Sequence, residues 1–266
     1  MNIHPTAIVH PEAKISDDVQ IGPFSIVEEN VTIGQGTKIG SHVILNGWTT
    51  IGKNCIIHMG CVIGHEPQIK GYEEKEAYCV IGDNNIIREY VTIHRGWKKG
   101  EATQIGNDNY IMANAHVGHN CQIASGVIIT NSALLAGHVI VEDKAVISGL
   151  VGIHQFCRIG AFAMLGGMSV IVQDVPPYML VDGNPSVVYG INTVGLRRAG
   201  FSQELRHHLK TAYKILYRSE LNTSKSLAKI EKELPISLEI KHLIEFIKNS
   251  KRGICRGKGK NLNEKE

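Results

Sequence analysis

The sequence predicts a mainly β chain: a parallel β-helix of hexapeptide repeats over residues 1–190, followed by a C-terminal α-helical domain over residues 191–256. Three observations carry that prediction. Ile, Leu or Val recurs at every sixth position from Ile3 to Ile171, broken only by Lys75 and Lys99. Small side chains stand two residues ahead of the aliphatic ones, as at Ala7, Ser25, Thr37, Thr49, Ala115, Ala133, Ala145 and Ser169. Beyond Val172 the period stops, and apolar residues three and four apart take over. A six-residue period fits neither the 3.6 of a helix nor the 2 of a simple strand; it is one flat side of a coil. Three such sides make an eighteen-residue turn, and turns stacked at roughly 4.8 Å align the aliphatic residues into interior ladders.

Each element follows from these phases. The small-residue phase reads as a narrow interior corner. Cys55, Cys61, Cys79, Cys121 and Cys157 share it, and no C-x-x-C pair occurs, so reduced core packing is expected of them. Glycine directly after the aliphatic residue, as at Gly22, Gly40, Gly52 and Gly82, is expected to supply permissive backbone angles at a tight corner. Two segments, about 65–78 and 96–104, interrupt the pattern, yet the phase resumes unshifted at Ile81 and Ile105. They are read as excursions from the coil, where substrate contacts commonly reside. The stretch from Gln173 to Pro185 reads as an irregular connection. Ser202 can N-cap a helix bearing Leu205, Leu209, Ala212, Ile215 and Leu216, with Leu227, Ile230 and Leu234 following up to Pro235. A last amphipathic helix carries Leu238, Leu243, Ile244 and Ile247. Residues 257–266, polar and rich in Gly and Lys, are expected to form a mobile tail.

Composition narrows the function classes. A hydrophobic share of 43% with 20% charged residues is that of a globular chain. No apolar run approaches the roughly 20 residues of a membrane span, so no transmembrane segment is expected. The amino terminus lacks a basic leader and an apolar stretch, which points to a cytoplasmic location. A net charge of +3 is too small to argue for nucleic acid. Lys and Arg concentrate after residue 195, either as a docking face for an acidic partner or as a solvated basic face.

The most suggestive polar group lies in Asn114-Ala115-His116-Val117-Gly118-His119-Asn120-Cys121. Histidine titrates near neutrality, as a general base requires. Eighteen residues beyond His119 stands Gly137, and eighteen further stands Gln155, so the three should stack on successive turns. A glycine there leaves room for a substrate and can present its N–H to a developing oxyanion, as acyl transfer needs. The competing reading makes Gly137 a relieved corner and His119 an exposed polar residue. His116, His138 and His154 occupy other phases and are not expected to converge, whereas zinc needs ligands about 2.0 to 2.2 Å from one ion. A metal shared between subunits stays open. Neither a P-loop nor a dinucleotide fingerprint is present, so a nucleotide would be held by side chains. Arg197 and Arg198, near Asn192, could grip a diphosphate.

On these residues the chain resembles the UDP-N-acetylglucosamine O-acyltransferases, the hexapeptide-repeat transferases that open lipid A synthesis in Gram-negative bacteria. The likeness runs essentially from end to end. It is carried by Ile87-Arg88-Glu89-Tyr90-Val91-Thr92-Ile93-His94-Arg95-Gly96, the strand from His116 to His119, and Leu135-Ala136-Gly137-His138-Val139. Further on it is carried by His154-Gln155-Phe156-Cys157, Gln173-Asp174-Val175-Pro176-Pro177-Tyr178 and Arg198-Ala199-Gly200-Phe201. The resemblance implies a left-handed parallel β-helix, an exception to the right-handed crossover rule, assembled as a homotrimer with sites between neighbouring subunits. It implies a 3-hydroxyacyl donor carried on the phosphopantetheine of acyl carrier protein, the 3-hydroxyl of UDP-N-acetylglucosamine as acceptor, and no metal or other cofactor. His119 would be the base and the Gly137 N–H the oxyanion donor. Gln68, His116, His138, His154 and Gln155 would contact the sugar nucleotide or acyl chain, and Asn192 and Arg198 would hold the uridine diphosphate. Gly167 would gauge acyl length. The acidic carrier protein would suit the basic C-terminal face.

Two departures stand out. Relatives commonly carry Asp directly after the catalytic histidine, where this chain has Asn120, and Gln-Asp-Leu-Lys where it has Gln68-Ile69-Lys70-Gly71. The second leaves open a 3-amino sugar acceptor and an amide product. The rival enzyme reading is a γ-class carbonic-anhydrase-like zinc hydro-lyase, and the non-enzymatic one is a β-helical scaffold.

Overall fold

A computed structural model describes residues 2–258 and shows a three-faced parallel coil topped by helices. Most strands are only two residues long, and each pairs in parallel with the strand one coil away. The sheets hold eleven strands (face A), nine (face B) and eight (face C), and every coil visits A, B and C in turn. On face A Gln20 aligns with Lys38, and on face B His116 aligns with Leu134, an offset of eighteen. The excursions explain why the phase survives. Trp48 pairs with Tyr78, an offset of thirty, and Tyr78 with Ala102, an offset of twenty-four. They add twelve and six residues, whole multiples of the repeat. The second closes before 104, because Ala102–Ile105 is already a strand.

Inside the coil, the second residue of each short strand points inward. Ile21, Ile33, Ile57, Ile87, Ile111, Val117, Leu135 and Ile153 are almost fully buried. β-branched and apolar side chains suit a pleat covered on its inner face. The small phase is also interior: Ser25, Thr37, Thr49 and Ser169 are fully buried, as are the five phased cysteines, all free thiols. Burial pushes the Cys79 and Cys121 thiols up to about 12, which suits packing rather than nucleophilic chemistry.

The corner glycines need a different explanation from the expected one. None of Gly22, Gly40, Gly52 or Gly82 has a positive φ. A Cβ on Gly22 would lie 2.5 Å from the Gly40 carbonyl oxygen, and one on Gly52 the same distance from that of Gly82. Close approach of stacked coils excludes a side chain there. The left-handed backbone falls two residues later, on Phe24, Asn84, Asn120, His138 and their equivalents.

The segment expected to be irregular after Val172 holds an antiparallel hairpin of Met179–Asp182 and Val187–Ile191. Met164 pairs in parallel with Leu180, so the hairpin extends face A by two strands beyond the last periodic residue. Helices α1 (Thr193–Arg198), α2 (Gln203–Arg218), α3 (Thr223–Glu233) and α4 (Leu238–Lys248) follow. The side chains of Asn192, Ser202, Asn222 and Ser237 each accept a first-turn N–H, which fixes the four starts. Leu209, Ala212, Leu216, Ile230, Leu243 and Ile247 form their shared core. Gly257 bridges Val188, so the tail expected from residue 257 begins with an anchored residue. Residues 259–266 of that tail lie outside the described residues. No helix among the described residues is long and apolar enough to cross a membrane.

Candidate active site

His119, Gly137 and Gln155 occupy the same turn position on successive coils, at the corner between faces B and C. The eighteen-residue count thus holds in space. A Cβ on Gly137 would lie 2.5 Å from His119 Nε2 and 2.6 Å from its Cε1. The glycine therefore makes room for the imidazole itself, rather than for a substrate as expected. Among the described residues the Gly137 N–H donates to no acceptor. A proton acceptor and a free backbone donor thus stand side by side.

The other ring nitrogen of His119, Nδ1, is 2.9 Å from Asn120 Oδ1. Asn120 sits in the left-handed region at φ 59°, which asparagine tolerates better than most residues. Its backbone N–H donates to Thr103 Oγ1 at 2.8 Å, and its side-chain amide donates to Glu101 Oε2 at 2.8 Å. The second excursion folds over this corner. The Trp97 N–H donates to Asn120 Oδ1, and the Trp97 indole meets the His119 ring edge-on at 6.0 Å.

These groups open onto a groove of about 730 Å³ along face B. Gln68, His94, His116, His119, Gly137 and His154 line it. His116 and His119, expected to diverge, meet here because the turn after His116–Val117 swings His119 back toward the same side. Burial, with lesser contributions from His94 and His119, holds the His116 imidazole down to about 4, so it is neutral near pH 7. Thr92 Oγ1 lies 2.8 Å from its Nδ1. Beyond the histidines the floor turns apolar: Leu134, Gly152 and Val170 align with His116 on the outward side of face B. Leu134 is 52% exposed, and a Cβ on Gly152 would meet nothing within 4 Å, so the track is open.

The remaining expected residues divide into two groups. His138 packs edge-on against His119 at 5.1 Å and stacks on Phe156 at 4.7 Å. Burial, with the charge of His119, lowers its pKa against the pull of Glu101. His154 and Gln155 are exposed at the corner, one coil above Gly137. Asn192, Arg198 and Gly167 do not join the groove within one chain. Asn192 caps α1 through Oδ1 and donates from Nδ2 to the Phe162 carbonyl, while Arg198 is exposed on that helix. Gly167 lies at the corner between faces A and B, where a Cβ would meet only Gly149 O, at 3.5 Å. Among the described residues, the side chains that gather in a ligand-like trio are exposed His10, Glu12 and Glu29, outside the groove.

Sequence reasoning gave no role to His94 and Trp97. His94 is 7% exposed, its Nδ1 meets the Glu66 carbonyl, and its ring lies 5.3 Å from that of His116. Its signal was a histidine directly after a ladder position, in register with Gly118, but at an offset of twenty-four. Trp97 and Glu101 reach the site from the excursion, where no period exists to count.

Comparison with known proteins decides the family. The UDP N-acetylglucosamine O-acyltransferase domain 2 model matches residues 174–255, and the GMPPB C-terminal domain model matches the coil over residues 3–97 and 98–184. The acyl-[acyl-carrier-protein]–UDP-N-acetylglucosamine O-acyltransferase of Thermodesulfovibrio yellowstonii is 52% identical over 96% of this chain and 99% of its own. The chain belongs to the UDP-N-acetylglucosamine O-acyltransferase family. The Syntrophobacter fumaroxidans member is 47% identical, over 96% of this chain and all of its own length. Among solved members, the Bacteroides fragilis enzyme superposes with a TM-score of 0.93 at 44% identity, covering 95% of this chain and 99% of its own. The Acinetobacter baumannii enzyme gives 0.92 at 42%, covering 96% and 99%. As a UDP-N-acetylglucosamine O-acyltransferase the chain is an enzyme, and its coil is the left-handed parallel β-helix of that family. The family name speaks for ester formation over the amide-forming, zinc and scaffold readings.

Proposed function

We propose that the protein transfers a (3R)-3-hydroxyacyl chain from acyl carrier protein to the 3-hydroxyl of UDP-N-acetylglucosamine, the first step of lipid A synthesis. The observation that carries this reading is the His119 imidazole lying against Gly137, whose N–H is free, at the mouth of a groove that runs from histidines to an apolar track. His119 Nε2 takes the acceptor proton as that oxygen attacks the thioester carbonyl, and the Gly137 N–H receives the oxyanion. As the tetrahedral intermediate collapses, the C–S bond breaks and the ester remains. The proton on His119 passes to the departing sulfur, giving the free thiol of the phosphopantetheine and a neutral imidazole again. No metal or other cofactor enters these steps.

Neutral His116, with Gln68, His138, His154 and Gln155, contacts the sugar nucleotide or the first carbons of the acyl chain. Leu134, Gly152 and Val170 line the path of the rest, and Gly167 sets its length. The coil, 1–190, carries the chemistry, and the helical domain, 191–256, offers its Lys and Arg to the acidic carrier protein. Asn192 and Arg198 hold the uridine diphosphate at the site of a neighbouring subunit in a homotrimer. Their distance from the groove in a single chain, and exposed Phe24, Tyr90, Leu150 and Met168 along the A–B corner, support that assembly. Both substrates belong to the cytoplasm, which is where we place the enzyme. Mass spectrometry of products formed from UDP-N-acetylglucosamine, its 3-amino analogue and a panel of acyl carrier protein thioesters tests the reading. The 3-O-ester is expected; turnover of the 3-amino sugar alone would overturn it. Light scattering should give three chains per particle, and a monomer would remove the shared site.

A further inference from the structure

An imidazole that accepts a proton becomes a cation, and the nearest partner of His119 is a neutral amide. That amide is itself held by a carboxylate. Asn120 Nδ2 donates to Glu101 Oε2 at 2.8 Å, while Asn120 Oδ1 faces His119 Nδ1 at 2.9 Å. A carboxylate only accepts, so Asn120 must turn its NH₂ toward Glu101 and its carbonyl oxygen toward the histidine. The Trp97 backbone N–H donates to the same oxygen at 3.0 Å and favours the same orientation. An oxygen that only accepts requires the hydrogen on Nδ1, which leaves the lone pair on Nε2. Nε2 is the nitrogen set against Gly137.

We propose that Glu101 is a positioning residue for the proton transfer: acting through the Asn120 amide, it fixes His119 as the Nδ1–H tautomer and offsets the imidazolium charge. This rests on the reading of His119 as the base. The local structure is arranged to hold it. The Tyr78 N–H donates to the Glu101 carbonyl at 2.9 Å, the Lys98 N–H donates to Glu101 Oε2 at 3.2 Å, and Glu101 N–H returns a bond to Lys98 O. Burial alone would raise the Glu101 pKa, but the Asn120 donor, with the Lys98 N–H and the charges of Lys98 and His138, holds it below the usual carboxylate range. Glu101 is therefore ionised wherever the enzyme works. The charged and titratable groups facing this pair are Lys98 of the same excursion, His94 and His116 on face B, and His138 one coil up. A carboxylate on the NH₂ end of an amide also polarises its carbonyl, strengthening the bond to His119. The second excursion thus contributes a charge that the bare coil lacks.

The test pairs a spectroscopic and a kinetic readout on the full chain. In protein labelled with ¹⁵N-histidine, with His119 assigned by the signal lost in His119→Gln, Nδ1 should appear protonated and Nε2 unprotonated in the neutral ring. Glu101→Gln can present either end of its own amide, which leaves the Trp97 N–H alone to hold the Asn120 orientation, so a measurable share of the Nε2–H tautomer should appear. Its kcat should fall roughly tenfold or more, as for a misplaced catalytic group, with KM for the sugar nucleotide unchanged. Loss of a negative charge disfavours imidazolium, so the acid limb of kcat/KM should move to lower pH. Asn120→Asp in the Glu101→Gln background returns a carboxylate to His119 and should restore most of the lost kcat. An unchanged tautomer, kcat and acid limb in Glu101→Gln would overturn the inference while leaving His119 as base. If His119→Ala kept full activity, the functional reading would fail instead, whatever the tautomer.

Discussion

Two corners of the same coil put one turn position to opposite uses. At the corner between faces C and A, the N–H of Lys53 is taken by Asp83 Oδ1, that of Asp83 by Asn107 Oδ1, that of Asn107 by Ser125 Oγ, and that of Ser125 by Asp143 Oδ1. Each coil caps the one before it. At the corner between faces B and C, the equivalent ladder reads His119, Gly137, Gln155. Gly137 has no side chain to give, its own N–H stays free, and the imidazole of His119 fills the space beside it. The lesson is energetic. A turn N–H left uncapped forgoes a hydrogen bond worth about 0.5–1.5 kcal/mol, and the same donor becomes available to a charge that forms only during reaction.

The contrast can be broken from either side. His119→Ala should cost about 10²- to 10⁴-fold in kcat/KM, with unchanged melting temperature; wild-type turnover would sink it. Gly137→Ala places a methyl on the imidazole, and kcat should drop about 100-fold. The same change at Gly167, where a Cβ makes only an ordinary contact with Gly149 O at 3.5 Å, should spare folding and kcat for short chains while penalising the longest acyl donors. A panel of thioesters distinguishes the two glycines, and equal losses at both would erase the difference claimed for them. Ser125→Ala uncaps Asn107 and should lower stability by about 1 kcal/mol in urea unfolding without altering kcat.

A separate effect concerns pH. His116 is held down to about 4 when folded, below its unfolded value, so the unfolded chain binds more protons between those two values. Stability is therefore complete above about pH 6.5 and declines as pH falls toward 4. Buried His94, lowered for the same reason, adds to the decline. His116→Gln should flatten the pH dependence of urea unfolding; an unaltered slope would mean that His116 is not the group responsible.

What the sequence disclosed follows the same division. The interior ladder was legible because stacking repeats it at a fixed interval, and excursions of twelve and six residues leave that interval intact. His119 and Gly137 were legible because nothing is inserted between them. His94 was not, since six extra residues displace it from the eighteen-residue count. Glu101 and Trp97 act from a loop whose path no period encodes. The hairpin at Met179–Ile191 was hidden by Pro176-Pro177 ahead of it and Gly183-Asn184-Pro185 at its turn, signals that outweigh two short apolar strands. The corner glycines were visible, but their cause was not, because contact between coils leaves no trace in the local sequence.

The central claim is that the free N–H of Gly137 stabilises the oxyanion beside the His119 base. Replacing Gly137 by glycolic acid turns that one amide into an ester, deleting the donor without adding an atom to the crowded side. A fall in kcat of about 10²- to 10³-fold, with KM for both substrates nearly unchanged, is the predicted result. Undiminished kcat in the ester-bearing enzyme would contradict the account.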